Sequence, residues 1–214
     1  MRFEGLIAGF GVSGVSGVPG ASGVSGIAGA PDGRRVVAGL WSRSPFGRFA
    51  DVMIEDAAGH RLLLAPSDEV ADLVSTTYRF DEVRVVPVSF STSAERIRLT
   101  AGGLRAELVP GARTGLGRLL RLPPRRLATS VAWLTAIDPV ARILAQGAGT
   151  AGTAGGGRRE YYGVTDARRI RSVEVDQDGE DWGALAPLSP AVGFGFASLP
   201  PTPQVVRVTT TIVG

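Results

Sequence analysis

Residues 97–108, Ile-Arg-Leu-Thr-Ala-Gly-Gly-Leu-Arg-Ala-Glu-Leu, predict a β-hairpin that turns at its two central glycines. Adjacent glycines permit the positive φ angles of the tightest hairpin turns. In this register Leu99 opposes Ala106 on one face, and Arg98 meets Glu107 on the other. The alternation on both strands and the complementary charge pair agree, and they indicate an antiparallel sheet.

The rest of the chain outside one central region shows similar short apolar runs, separated by turn residues. Ser67 with two following acids predicts a helix to about Ser75. Many short strands joined by tight turns favour an antiparallel β-barrel or curved sandwich of about ten strands, a β-rich α+β fold in a single domain over 1–214. The further strands are expected at 34–41, 51–55, 61–64, 83–90, 160–164, 170–175, 192–197 and 205–213.

Three segments depart from the strand pattern. Residues 112–146 carry apolar side chains at spacings of three and four and predict a helical insertion, with a second helix beginning at Asp138-Pro139. A Gly-Val-Ser repeat predicts a flexible loop over 9–33. Six glycines in eleven residues predict a flexible connection over 147–157.

The composition excludes several chemistries. The chain has 214 residues, 44% of them hydrophobic and 20% charged, which is typical of a globular protein. It contains no cysteine and no lysine, and its one histidine is His60. Thiolate nucleophiles, lysine Schiff bases and paired-histidine zinc sites are therefore excluded. A G-x-G-x-x-G match over 9–14 is followed by Gly and Pro where a helix should begin, so no cofactor is expected. With one histidine and no cysteine, no metal is expected either.

Positive charge is concentrated in residues 111–171, which hold eleven arginines against three acids. This segment is an alternative docking surface for an anionic membrane or a nucleic acid. No helix-turn-helix or RNA-binding signature accompanies it, which argues against nucleic acid. The longest apolar stretch, 127–145, is too polar to cross a bilayer, and no secretory signal is visible. We therefore expect a cytoplasmic protein.

Two segments that combine arginines with aromatic rings are the candidate ligand-binding site. They cover residues 41–51 and 158–163, and we expect them to meet at the mouth of the barrel. Arginine forks and ring faces together suit an anionic or planar ligand. The candidate residues are Trp41, Arg43, Phe46, Arg48 and Asp51 from the first segment, and Arg159, Glu160, Tyr161 and Tyr162 from the second.

The favoured function is non-enzymatic binding of a small, partly apolar or anionic ligand inside the barrel. The alternative is an enzyme that uses Asp51, Glu160, Tyr161 or His60 as acid–base groups in the same cavity, although no residue is assigned a catalytic role. A strongly perturbed carboxylate facing a pocket would favour catalysis, whereas uniformly exposed acids would favour binding.

Three runs of sequence resemble those of an uncharacterised actinobacterial protein family of unknown function. They are Arg43–Met53, Tyr78–Val83 and Arg158–Gly163. The resemblance covers most of the chain apart from the Gly-Val-Ser repeat. It implies a bacterial, cytosolic protein and brings no activity with it.

Overall fold

The computed structural model describes residues 1–14, 33–144, 151–154, 158–195 and 199–213. The helices in these ranges are α1 (Asp68–Thr77), α2 (Gly115–Leu119), α3 (Arg125–Ala128) and α4 (Val131–Leu144). The strands are β1 (Arg2–Ser13), β2 (Gly33–Arg43), β3 (Phe49–Glu55), β4 (Arg61–Ala65), β5 (Glu82–Val85), β6 (Val88–Thr92), β7 (Ile97–Ala101), β8 (Leu104–Arg113), β9 (Ala151–Ala154), β10 (Arg158–Gln177), β11 (Glu180–Asp181), β12 (Ala184–Ala186) and β13 (Gln204–Val213).

One curled sheet contains all of these strands. Its order is β5-β4-β3-β2-β1-β13-β10-β8-β7-β6, with β9 and β11 paired to β10 and β12 paired to β1. The pairings are antiparallel except for β4 with β5. Only Val86 and Pro87 separate the two edge strands β5 and β6 in the chain, so these edges lie within about 11 Å of each other at that end. The sheet therefore curls on itself, as the predicted fold class requires.

The hairpin of β7 and β8 confirms the predicted register. Leu99 pairs with Ala106, and Arg98 pairs with Glu107. Gly102 has a φ of 60°, which an L side chain adopts with strain. The Nε of Arg98 donates to the Glu107 carboxylate at 2.7 Å.

The central strands are buried on both faces. Every residue of β3 is buried. One face packs β1, β2 and β3 against β7 and β8 through side chains that include Phe10 and Leu108. The opposite face carries a second core, in which Phe3, Val37 and Met53 pack with α1. Because successive side chains of a strand point to opposite faces, each central strand supplies residues to both cores.

The helical insertion is present, but its internal boundary was predicted wrongly. Strand β8 runs to Arg113, and α2, α3 and α4 follow over 115–144. Helix α4 continues through Asp138-Pro139, where a new helix was expected. A proline removes one backbone hydrogen bond from a helix, and the apolar spacing that continues across it maintains the helix here.

The two predicted flexible segments both contain strand. Residues 9–13 of the expected loop over 9–33 extend β1 and pair with 33–37 of β2, and they bury Phe10 and Val12. The G-x-G-x-x-G match is therefore strand rather than a turn before a helix. Within the expected connection over 147–157, residues 151–154 form β9. The structure does not describe residues 15–32 of the first segment. In the second segment it does not describe residues 147–150 and 155–157.

Two predicted strands differ from the structure. The run 83–90 forms two edge strands, because Pro87 between them has no amide hydrogen to donate. Residues 192–195 form no strand. Val192 and Phe194 are instead buried in the second core, so their alternation reflects burial of an irregular segment.

Replacing Gly117 with Ala should destabilise the protein, because α2 lies directly on β10. A Cβ at Gly117 would overlap the backbone carbonyl of Ala167. We expect a loss of about 1 to 3 kcal/mol in the free energy of unfolding, measured by urea denaturation. Gly115→Ala is the matched control, since a Cβ there meets no atom within 4 Å. Equal stability of the two variants would show that this contact does not position α2.

Candidate functional site

An apolar cavity of about 410 Å³ lies between the sheet and the helices. Its size falls in the range of small-molecule sites. It lies on the face of the sheet that carries the second core, whereas the opposite face is packed by the side chains of the first core. Apolar lining residues include Phe3, Ile7, Val37, Met53, Val206, Val208 and Ile212 from strands, and Leu73, Val74, Leu116, Leu119, Leu120, Trp133, Leu134 and Ile137 from helices.

Asp51 is a buried carboxylic acid that faces this cavity. It is 3% exposed, and its Oδ1 accepts a hydrogen bond of 2.9 Å from the Trp41 indole nitrogen. Gly39 makes room for this bond, because a Cβ there would lie 2.6 Å from both bonded atoms. No described residue donates to Oδ2, the second carboxylate oxygen. That oxygen is available to a ligand.

Burial raises the pKa of Asp51 from 3.8 to about 7, and the hydrogen bond from Trp41 opposes this rise. Removing the charged carboxylate from water is the larger effect. Near neutral pH the group therefore divides between its protonated and ionised forms.

A second polar cluster joins the end of α1 to β10. The hydroxyl of Tyr78 donates to the Glu160 carboxylate, with distances of 3.3 and 3.5 Å to the two oxygens, and it forms a hydrogen bond with the Tyr162 hydroxyl. Burial raises the pKa of both tyrosines well above the usual value. For Tyr78 the Glu160 charge is the next cause. Both phenols therefore keep their protons and act as donors.

Thr210 adds an unsatisfied hydroxyl to the cavity wall. Its backbone pairs with Phe3 on one side and Tyr162 on the other. Its Oγ1 is buried and has no hydrogen-bond partner in the described structure. A buried hydroxyl without a partner costs about 1 to 3 kcal/mol, so a polar group placed here by a ligand would recover part of that cost.

The curvature of the sheet brings the two predicted segments together. Asp51 on β3 and Glu160 on β10 are four strand spacings apart, about 19 Å along a flat sheet. Both nevertheless line one cavity, and both charges raise the pKa of Tyr78. The candidate residues Trp41, Asp51, Glu160 and Tyr162 therefore share one cavity.

The candidate arginines do not line the cavity. Arg43 is exposed and lies 3.6 Å from the Glu4 carboxylate. Arg48 lies 3.8 Å from the centre of the Phe90 ring and donates to its carbonyl at 2.7 Å, which ties the loop after β2 to β6. Arg159 lies 5.8 Å from the ring of a neighbouring tyrosine.

Three further candidates also lie outside the cavity lining. Phe46 packs against Phe3 and Phe49 and is partly exposed. Tyr161 is buried against α4. His60 is about half exposed in the turn before β4, 3.8 Å from a glutamate.

The cavity opens beside α2. Leu119 and Leu122 line it and are 50% and 75% exposed. The exposed side chains of Arg118 and Arg121 flank this opening in sequence. Arg113 of the basic segment instead binds both carboxylate oxygens of Asp166, at 2.6 and 2.9 Å.

Sequence reasoning missed Tyr78 and Thr210 as site residues. Tyr78 caps the end of α1, and Thr210 lies in a strand rich in Val and Thr. Neither has a local pattern that marks it, because each reaches the site through the packing of distant elements. In the described ranges no three acidic or histidine side chains form a metal-binding group, and no helix is long and apolar enough to cross a membrane.

No protein-family model matches the chain, and no curated protein is significantly similar to it. Among solved structures, acetoacetate decarboxylase from Legionella pneumophila aligns with all of this chain and 86% of its own, at 9% identity and a TM-score of 0.43. A second acetoacetate decarboxylase structure aligns with 99% of this chain and 86% of its own, at 8% identity and a TM-score of 0.44. These likenesses carry no argument about function.

Replacing Asp51 with Asn should change how stability depends on pH. The folded protein binds a proton at Asp51 up to about pH 7, whereas an unshifted carboxyl has a pKa of 3.8. This group therefore stabilises the fold at low pH, and its contribution is lost as the pH rises toward about 7. The wild type should lose on the order of 4 kcal/mol relative to Asp51→Asn between about pH 4 and pH 8 in urea denaturation.

Asp72→Asn makes the same chemical change on the exposed side of α1. Its stability should follow that of the wild type over this pH range. A difference between wild type and Asp51→Asn that does not vary with pH would contradict the raised pKa.

Proposed function

We propose that the protein binds a small, mainly apolar molecule in the cavity between the sheet and the helices. The supporting observation is an apolar cavity that opens beside α2 and contains a few buried polar groups. Small-molecule sites combine an apolar lining with a small number of polar groups that orient the ligand. Binding does not require any of these groups to react.

The charged side chains in the cavity wall disfavour an anionic group deep inside. They are compatible with an apolar ligand. No arginine occurs among the described lining residues, and Asp51 and Glu160 both face the cavity. A buried anion would approach the Asp51 carboxylate, which no described cation accompanies. An anionic group would have to remain near the opening, beside Arg118 and Arg121.

The affinity of unbranched primary alcohols should rise with chain length until the cavity is filled. Each buried CH₂ contributes about 0.8 kcal/mol, which is roughly a fourfold gain in affinity. Calorimetric titration with alcohols from butanol to decanol should show this gain and then a plateau. Affinities independent of chain length, or no binding at all, would contradict the proposal.

Leu120→Trp and Leu127→Trp form a matched pair for this titration. Leu120 lines the cavity, whereas Leu127 is exposed and lies outside the lining. The bulkier side chain at Leu120 should move the plateau to a shorter alcohol, and Leu127→Trp should leave it unchanged.

An acid–base enzyme is the second candidate function, and Asp51 favours it. A buried carboxyl with a pKa near 7 that faces a cavity can take up and release a proton at neutral pH. Tyr78 and Tyr162 lie in the same cavity as hydroxyl donors. The absence of lysine closes any route through a lysine Schiff base.

Proton abstraction next to a carbonyl tests this candidate. If Asp51 is a general base, the protein should accelerate deuterium exchange of the α-protons of cyclohexanone in D₂O, followed by NMR, and Asp51→Asn should abolish the acceleration. Equal exchange with and without protein would leave this candidate without support, while alcohol binding would be unaffected.

A further inference from the structure

Asp51 has no arginine partner in the described structure, unlike the buried Glu55 and the half-buried Asp166. Glu55 pairs with Arg35 at 3.0 Å, and Asp166 pairs with Arg113. Asp51 instead has one hydrogen bond, from a neutral indole. A buried carboxylate is costly unless a cation or a proton accompanies it.

Besides Asp51, the described cavity lining contains one acid, two phenols, aromatic rings and the neutral polar side chains of Thr77, Gln204 and Thr210. Glu160 and Tyr162 come from β10, and Tyr78 comes from α1. The described lining from α2, α3 and α4 contains no charged side chain. The compensating positive charge is therefore absent from the described walls of the cavity.

Aromatic rings surround the Asp51 side of the cavity. Trp41, which bonds Asp51, packs edge-on against Phe3 with ring centres 5.6 Å apart, and Phe49 completes the cluster. Ring faces attract cations, most strongly when water is excluded.

We propose that the ligand carries an ammonium group, which pairs with the Asp51 carboxylate inside the cavity, while its hydrocarbon part contacts the apolar wall. This inference rests on the proposed binding function and names the chemical class of the ligand. An alkylammonium ion has up to three N–H donors, and Asp51 Oδ2 is an acceptor without another partner in the described structure. A metal ion would need more oxygen ligands than are grouped here.

Three probes with the same hydrocarbon chain test the inference: hexylamine, 1-hexanol and hexanoate. At pH 8 Asp51 is mostly ionised, and a primary alkylamine is still protonated, with a pKa of about 10. Calorimetry should show that hexylamine binds at least about tenfold more tightly than 1-hexanol, and that hexanoate binds most weakly. The preference for the amine should shrink as the pH falls from about 8 to about 6, because Asp51 becomes protonated.

Asp51→Asn should lose far more affinity for hexylamine than for 1-hexanol, so that the preference for the amine disappears. Asn retains an oxygen that can accept the Trp41 hydrogen bond, and a cooperative transition in urea denaturation shows that the variant is folded. Asp72→Asn, on the exposed side of α1, should keep the wild-type preference.

Each other outcome has a distinct meaning. If 1-hexanol or hexanoate binds the wild type as tightly as hexylamine, the ammonium inference is wrong and the proposed binding function stands. If the preference survives in Asp51→Asn, the cation binds elsewhere and the inference is also wrong. If none of the three probes binds, both the inference and the proposed function fail.

Discussion

Burial of the central strands on both faces is the constraint on which the structure depends. A strand with two buried faces supplies mostly apolar side chains at consecutive positions. Strand β3 is buried from Phe49 to Glu55, and all of its residues except Asp51 and Glu55 are apolar. One face is packed against the β7–β8 hairpin. The other is covered by helices, which leave a cavity between themselves and the sheet. The polar groups of the site line this cavity, which strands and helices enclose together, so the site depends on both.

Two buried acids of β3 differ in their partners: Glu55 pairs with an arginine, and Asp51 does not. Arg35 on the neighbouring strand compensates the charge of the buried Glu55 carboxylate. At Asp51 the neighbouring strand supplies Gly39 and Trp41 instead, which leave space and a neutral donor. A fold that needed only stability would gain from an apolar residue here. In our proposal the ligand supplies the positive charge that the neighbouring strand does not.

Sequence patterns correctly predicted the elements whose structure depends on residues close together in the chain. The hairpin register follows from two glycines and one charge pair, and the cap of α1 follows from Ser67. The end of β1 was missed because glycines that suit a loop also suit a strand packed closely against its neighbours. Of the site, the sequence indicated Asp51 and its segment, but it could not show Tyr78, which reaches the cavity through tertiary packing alone.

The central claim is that an open apolar cavity lies on the helix-covered face of the sheet, with Asp51 in its wall. Crystallography under xenon pressure tests it directly, since xenon occupies apolar cavities without needing a specific polar partner. The account predicts xenon density between the sheet and the helices, in contact with side chains such as Leu120 and Val206. Xenon bound between β1 and the β7–β8 hairpin, or side chains filling the space beside Asp51, would contradict it.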